Sequence, residues 1–153
     1  MRTLEFDTTT AAWRKVMLIL ALISTVALLV CMGFFMMGSL PLLILKHDTP
    51  LDSGFIRGLF NWYYVAIIVT APIGTLGYAF TEHAMIALAF GCVAVLGLAG
   101  RYWMVARMDM LRSMMTAHDA WAIKRFRQLH IAGMLLNALL LAAVCICLAQ
   151  LPF

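Results

Sequence analysis

Four stretches of this chain carry no charged side chain: residues 16–45, 58–81, 84–100 and 131–153. A helix needs roughly 17–25 mostly apolar residues to cross a bilayer core. The pattern therefore predicts four crossings, with helices over about 12–40, 56–80, 84–115 and 120–150. Gly38-Ser39-Leu40-Pro41 should kink or end the first helix, because proline removes a donor and crowds the preceding turn. Residues 46–58 read as the first loop, with Pro50 and Gly54 as its punctuation. Pro72, with Gly74 and Gly77, predicts a kink in the second helix. The connection at Thr81-Glu82-His83 is so short that the second and third helices must be antiparallel neighbours.

The third helix should outlast its apolar stretch. Met104, Met108, Leu111 and Met115 recur at helical spacing; so do Ala122, Phe126, Leu129 and Gly133 beyond a turn at 116–119. Two facing stripes of that period predict a helical hairpin that packs like a short coiled coil, with Asp119 as N-cap of its second arm. The predicted fold is all-α: an integral membrane four-helix bundle, with a basic hairpin extending helices 3 and 4 beyond the membrane.

Composition agrees with a membrane chain. Of 153 residues, 65% are hydrophobic and 12% charged, and mean hydropathy is +0.98; soluble chains run about 45–50% apolar and about 25% charged. Eight bases (Lys46, Arg57, Arg101, Arg107, Arg112, Lys124, Arg125, Arg127) fall on the loop side against three (Arg2, Arg14, Lys15) beside the termini. That excess predicts the two long loops cytoplasmic and both termini outside; the expected location is a bacterial inner membrane. Trp62, Trp103 and Tyr102 would anchor the loop side at headgroup level, and Trp13 and Tyr78 the other. The first apolar stretch is too long for a cleaved signal h-region, so that helix is expected to be retained. The threonines Thr8 to Thr10 are expected to cap a helix beginning near Ala11.

Candidate chemistry concentrates in the last helix. At 3.6 residues per turn Arg127, His130, Met134 and Asn137 share one side, with Gly133 beside them. Strongly polar groups are costly in lipid, so His130 and Asn137 should turn inward and find partners, with Asn61, Tyr64 and Thr75 of helix 2 as candidates. The functional alternative to such a structural lock is a small polar pocket also lined by Arg127. No acidic residue lies inside a predicted span, and no G-x-S-x-G, phosphate loop or acid–base carboxylate pair occurs. Metal handling has weaker support. Cys31, Met32 and Met36 are the candidates for Cu(I), a soft ion that thioethers and thiolates bind, but methionine also fills core gaps. His47, His118 and His130 would share a side without the close spacing of a dedicated site, and only His130 lies near enough to the membrane to ligate haem. No cofactor is expected. Cys31, Cys92, Cys145 and Cys147 read as small packing residues, not as a redox pair. The basic hairpin residues suit anionic headgroups or an acidic protein partner, with Asp109 and Arg112 as a weak surface pair. Nucleic acid is not an expected partner.

The segment Phe126 to Asn137, FRQLHIAGMLLN, together with ARMDMLR at Ala106 to Arg112, resembles an uncharacterised four-helix membrane family. That family includes a vertebrate transmembrane protein associated with cisplatin resistance. Phe126, Arg127, Leu129-His130, Gly133 and Leu136-Asn137 match its last helix, with Ala132 in place of the usual serine; Arg107 and Leu111-Arg112 match the third, with Ala106 where proline is common. Gly33 and GLFNWYY at Gly58 to Tyr64 resemble its first half more loosely. The resemblance implies the four-span fold and a polar site at Arg112, Arg127, His130 and Asn137, without implying a reaction. A fainter similarity, to anthrone-oxygenase-like four-helix proteins, would imply a cofactor-free oxygenase.

The expected function is a non-catalytic one, a small accessory or scaffold subunit that binds membrane lipid and another membrane protein or a second copy of itself. The alternative is a small-molecule carrier or cofactor-free membrane enzyme using a site at His130 and Asn137, extended by Arg112, Arg127, Asn61 and Tyr64. Copper handling comes third.

Overall fold

The computed structural model describes residues 2–44, 49–115 and 120–149, and side chains from Thr10 onward apart from that of Pro50. Among these residues every regular element is helical. Helix α1 is Arg2–Leu42 and α2 is Pro50–Phe80. Helix α3 spans Ala84–Met115 and α4 spans Ala120–Ala149. Each is long and apolar enough to cross a membrane. Helices adjacent in sequence pack side by side, and α4 returns against α1, so α1 faces α3 and α2 faces α4 across the bundle.

Three boundaries differ from the sequence expectation, each for a local reason. Helix α1 reaches back to Arg2, so Thr8 to Thr10 lie within it instead of capping it. Helix α2 begins at Pro50, inside the stretch expected to be loop. Thr49 is its N-cap, its hydroxyl accepting from the Asp52 N–H at 3.1 Å, and proline fits the first helical position because no N–H is needed there. Helix α3 is α-helical over Ala84–Gly100, widens to a π turn at Arg101–Val105, and resumes as α-helix over Ala106–Met115. Its inward residues explain the widening. Gly100, Met104 and Met108 place eight residues in two turns, more than the ~7.2 of an α-helix, and the π turn absorbs the excess.

Pro41 lies one residue before the end of α1. Pro72 lies within an unbroken α2. The turn between α2 and α3 closes through His83 N–H to the Tyr78 carbonyl at 3.0 Å, with Glu82 in left-handed backbone (φ 67°). This is the six-to-one bond of a Schellman-type helix end, which fits two antiparallel helices into three residues. An ion pair between Arg14 and Glu82 ties the turn to α1.

The core runs the length of the bundle. Ala21, Leu28, Met32, Phe35 and Ser39 face it from α1, and Ile56, Phe60, Tyr63, Tyr64, Ile67, Ala71 and Tyr78 from α2. Both predicted stripes are buried: Met104, Met108, Leu111 and Met115, and opposite them Ala122, Phe126, Leu129 and Gly133. Large apolar side chains such as Phe34, Met37, Val69, Leu88 and Leu139 stand exposed around the outside. A water-facing surface rarely carries so much apolar area, whereas acyl chains would cover it. Trp13, Trp62, Tyr102 and Trp103 are exposed, but Tyr78 is fully buried and is a core residue, not an interfacial anchor. Cys92 and Cys145 also face outward, so packing in the core does not account for them; all four cysteines are free thiols.

Candidate functional site

The polar centre of the bundle is built around Asn137. Helical spacing puts His130, Gly133, Met134 and Asn137 on one inward face of α4, with His130 at 0% and Asn137 at 1% exposure. Across the bundle, Tyr63 of α2 donates its hydroxyl to Asn137 Oδ1 at 2.6 Å. The Asn137 amide Nδ2 donates to the Met32 carbonyl of α1 at 3.2 Å. One carboxamide therefore links three helices. A buried amide without such partners would cost about 1–3 kcal/mol.

Aromatic rings fill the space around this link. Phe35 stacks on Tyr63 with centroids 4.1 Å apart and meets Phe60 edge-on at 4.8 Å. Phe60 in turn presents an edge-on contact to the His130 ring at 5.7 Å. Two glycines admit these rings. A Cβ on Gly133 would collide with Phe60, and a Cβ on Gly100 would stand 2.6 Å from the Tyr64 ring. Tyr64 thus lies over Gly100, and its hydroxyl donates to Met104 Sδ at 3.2 Å.

The remaining residues singled out from the sequence go elsewhere. Arg127 is exposed; its guanidinium donates to the Leu43 carbonyl at 3.4 Å, at the C-terminal end of α1, where a cation also complements the helix dipole. Arg112 faces the start of α2, with Nε 3.4 Å from Ser53 Oγ. Asn61 is half-buried, and Tyr63 takes the place expected for Asn61 or Tyr64 as the partner of Asn137. Thr75 bonds to the Ala71 carbonyl of its own helix at 2.9 Å. The structure therefore brings His130 and Asn137 together with Phe60 and Tyr63, and leaves both arginines outside that cluster.

Asp109 also has a different principal partner. Arg57 of α2 grips it with two bonds of 2.8 Å each, from Nε and Nη2, while Arg112 stands 3.8 Å away. Lys46, His47, His118 and Asp119 lie outside the described residues.

For metal chemistry, Met32 is fully buried, and Cys31 and Met36 are half-buried. Among the described residues no group of three or more His, Cys, Asp or Glu side chains is placed to hold an ion.

A second polar cluster lies toward the α2–α3 turn. Thr25 and Tyr78 share a hydroxyl–hydroxyl bond of 2.9 Å, Thr25 also donates to the Ala21 carbonyl at 2.8 Å, and Ser24 donates to the Thr70 carbonyl at 2.6 Å. Gly74 and Gly77 bring α1 and α2 together here. A Cβ on Gly77 would stand 2.8 Å from the Met17 carbonyl oxygen. This cluster was not singled out in the sequence, although Ser24, Thr25 and Tyr78 follow the same inward spacing as the apolar core.

No protein-family model, curated protein or solved structure matches this chain.

Proposed function

We propose that the chain is a non-catalytic membrane subunit, an accessory or scaffold component that binds lipid or other membrane proteins through its outer surface. The observation that carries this reading is the closed centre of the bundle. His130 and Asn137 are fully enclosed, at 0% and 1% exposure, among Phe60, Tyr63 and their neighbours. A binding pocket needs a path for its ligand and space of about 300–1,000 Å³. Here Asn137 and Tyr63 spend their hydrogen bonds joining helices.

In this reading the chain resides in a bacterial inner membrane with its long loops cytoplasmic, and the stripe-packed ends of α3 and α4 form a basic hairpin beyond the bilayer. The base count around the spans supports that orientation. With Cys31, Cys92, Cys145 and Cys147 replaced by alanine, a His118→Cys variant in inverted vesicles should react with a membrane-impermeant maleimide, and the same variant in intact cells should not. The resemblance carried by Phe126 to Asn137 supports a shared bundle with the four-helix family and adds no reaction.

The test of the functional reading is native mass spectrometry of the chain purified in nanodiscs, beside His130→Ala. The expected result is retained lipid or a stoichiometric protein partner, with the same species on both variants. A small organic molecule or metal ion held by the wild type and lost from a folded His130→Ala would overturn it. The alternative of a carrier or cofactor-free enzyme has one observation in its favour. A recess of about 140 Å³ between α1 and α2, lined by Cys31, Phe35, Leu59, Trp62, Tyr63 and Ala66, reaches the Tyr63 side of the Asn137 link from outside.

A further inference from the structure

Between α3 and α4, where both leave their uncharged segments, a groove of about 400 Å³ opens on the outer surface. Its walls include Trp103 and Trp121, exposed at 61% and 51%, and its floor includes Leu111, Leu129 and Ala132. Arg107 comes to it from one helix and Arg125 from the other. The Arg125 guanidinium lies over the Trp121 ring, 5.6 Å from its centroid, and its Nη1 is 3.4 Å from Gln128 Oε1.

The convergence of two cations distinguishes this groove from the rest of the basic end, where Arg101, Lys124 and Arg127 also lack a carboxylate partner among the described residues. Among the described residues the ion pairs engage Arg14, Arg57 and Arg112, and neither Arg107 nor Arg125 has a carboxylate within salt-bridge distance. Two uncompensated guanidinium groups therefore converge on one apolar-floored recess.

Its height follows from the sequence. Arg107 stands seven residues beyond Gly100, where one uncharged stretch ends, and Arg125 six residues before Ile131, where the next begins. At a rise of ~1.5 Å per residue both lie about 10 Å past the apolar segments. The headgroup layer adds roughly 5–8 Å to each side of the hydrocarbon core. Arginine stems are long enough to bring their heads back into that layer, where Trp rings are also favoured.

We propose that this groove is a binding site for the headgroup of an anionic phospholipid, with the phosphodiester held between Arg107 and Arg125. Guanidinium groups match phosphate oxygens with paired, charge-assisted hydrogen bonds. The Trp rings flank the glycerol region, and the acyl chains descend past Ala132 along the exposed Ile131 and Leu135. The inference narrows the proposed lipid- or protein-binding role to one ligand class and one place.

The test uses the full chain in detergent, titrated with phosphatidylglycerol or phosphatidylcholine and followed by native mass spectrometry. Wild type should bind phosphatidylglycerol in preference to phosphatidylcholine. Arg107→Gln/Arg125→Gln should lower its affinity for phosphatidylglycerol by about 30-fold, the equivalent of about 1 kcal/mol for each basic side chain near an anionic surface. Arg14→Gln, at the other end of the bundle, should bind as wild type does. Inorganic phosphate in millimolar excess should not displace the lipid, because the site also takes its apolar part. Equal binding of the two lipids, a double variant that binds like wild type, or displacement by phosphate would each overturn the proposal. Both substituted arginines are exposed and outside the core, and unchanged helicity of the double variant separates loss of the site from loss of the fold. These outcomes are independent of His130→Ala, so the lipid site can fail while the non-catalytic reading stands, and the reverse.

Discussion

The two ends of this bundle are held by different means. Toward the α2–α3 turn, small residues bring backbones together: Gly77 lies directly against Met17 and Ala21 of α1, and Gly74 sits between Ser24 and the Phe90 ring. Toward the long connections, Phe35, Phe60, Tyr63 and Tyr64 fill the centre, and one carboxamide joins three helices through them. The hydrogen bonds differ accordingly. Thr25 already bonds to a carbonyl of its own helix, so it stays partly satisfied without Tyr78. Asn137 reaches only other helices in the bonds it makes. Steric fit therefore dominates one end and polar chemistry the other.

Substitutions can break that contrast, and the largest effect is expected at the close-packed end. Gly77→Ala drives a methyl into the Met17 backbone, which cannot rotate aside; overpacking of this kind costs about 1–3 kcal/mol, and this site belongs at the top of that range. Thermal unfolding in detergent, followed by circular dichroism, should show it as the least stable single variant tested. If Gly77→Ala melts like wild type, the steric account of this end is wrong.

Next comes Asn137→Leu, which strands the Tyr63 hydroxyl and should cost about 1–3 kcal/mol. Tyr63→Phe, which strands Asn137 Oδ1 but keeps the Met32 bond, should cost about half as much, and the double variant less than the sum of the two. Strict additivity in that cycle would mean that the 2.6 Å contact carries no coupling.

Thr25→Val is the matched test at the other end. It should cost only about 0.6 kcal/mol, the average for a hydrogen bond between membrane helices. A loss as large as that of Asn137→Leu would erase the distinction between the two ends. A small effect of opposite sign is expected at Gly33 and Gly58. A Cβ at either meets nothing within 4 Å, so alanine should raise the melting point by the equivalent of up to about 1 kcal/mol through helix propensity alone.

The apolar periodicity of the sequence is enough to place the four long helices, the buried Met104–Met115 and Ala122–Gly133 stripes, and the inward direction of His130 and Asn137. Periodicity assigns a residue to an arc of a helix; it does not say how far each helix is rotated against its neighbours. Tyr63 and Tyr64 are both buried, and only packing decides that the first meets Asn137 and the second Met104. Arginine is harder still to place, because its stem lets the same backbone position serve the interior or a neighbouring helix end, and Arg127 takes the latter. The start of α2 was legible, since Thr49-Pro50 with Asp52 is a helix-opening pattern; its proline and glycine suggested a loop only when read as breakers.

The wide turn at Arg101–Val105 sets the phase of everything that follows it in α3. Removing one residue there would let the segment tighten into ordinary α-helix: seven residues then cover two turns and leave the rest of α3 within about 20° of its present phase. Met108, Leu111 and Met115 would still face α4, and Arg107 would still stand across from Arg125. A one-residue deletion within these five positions should therefore be tolerated far better than one in the α-helical stretch on either side, which would swing the inward face by about 100°.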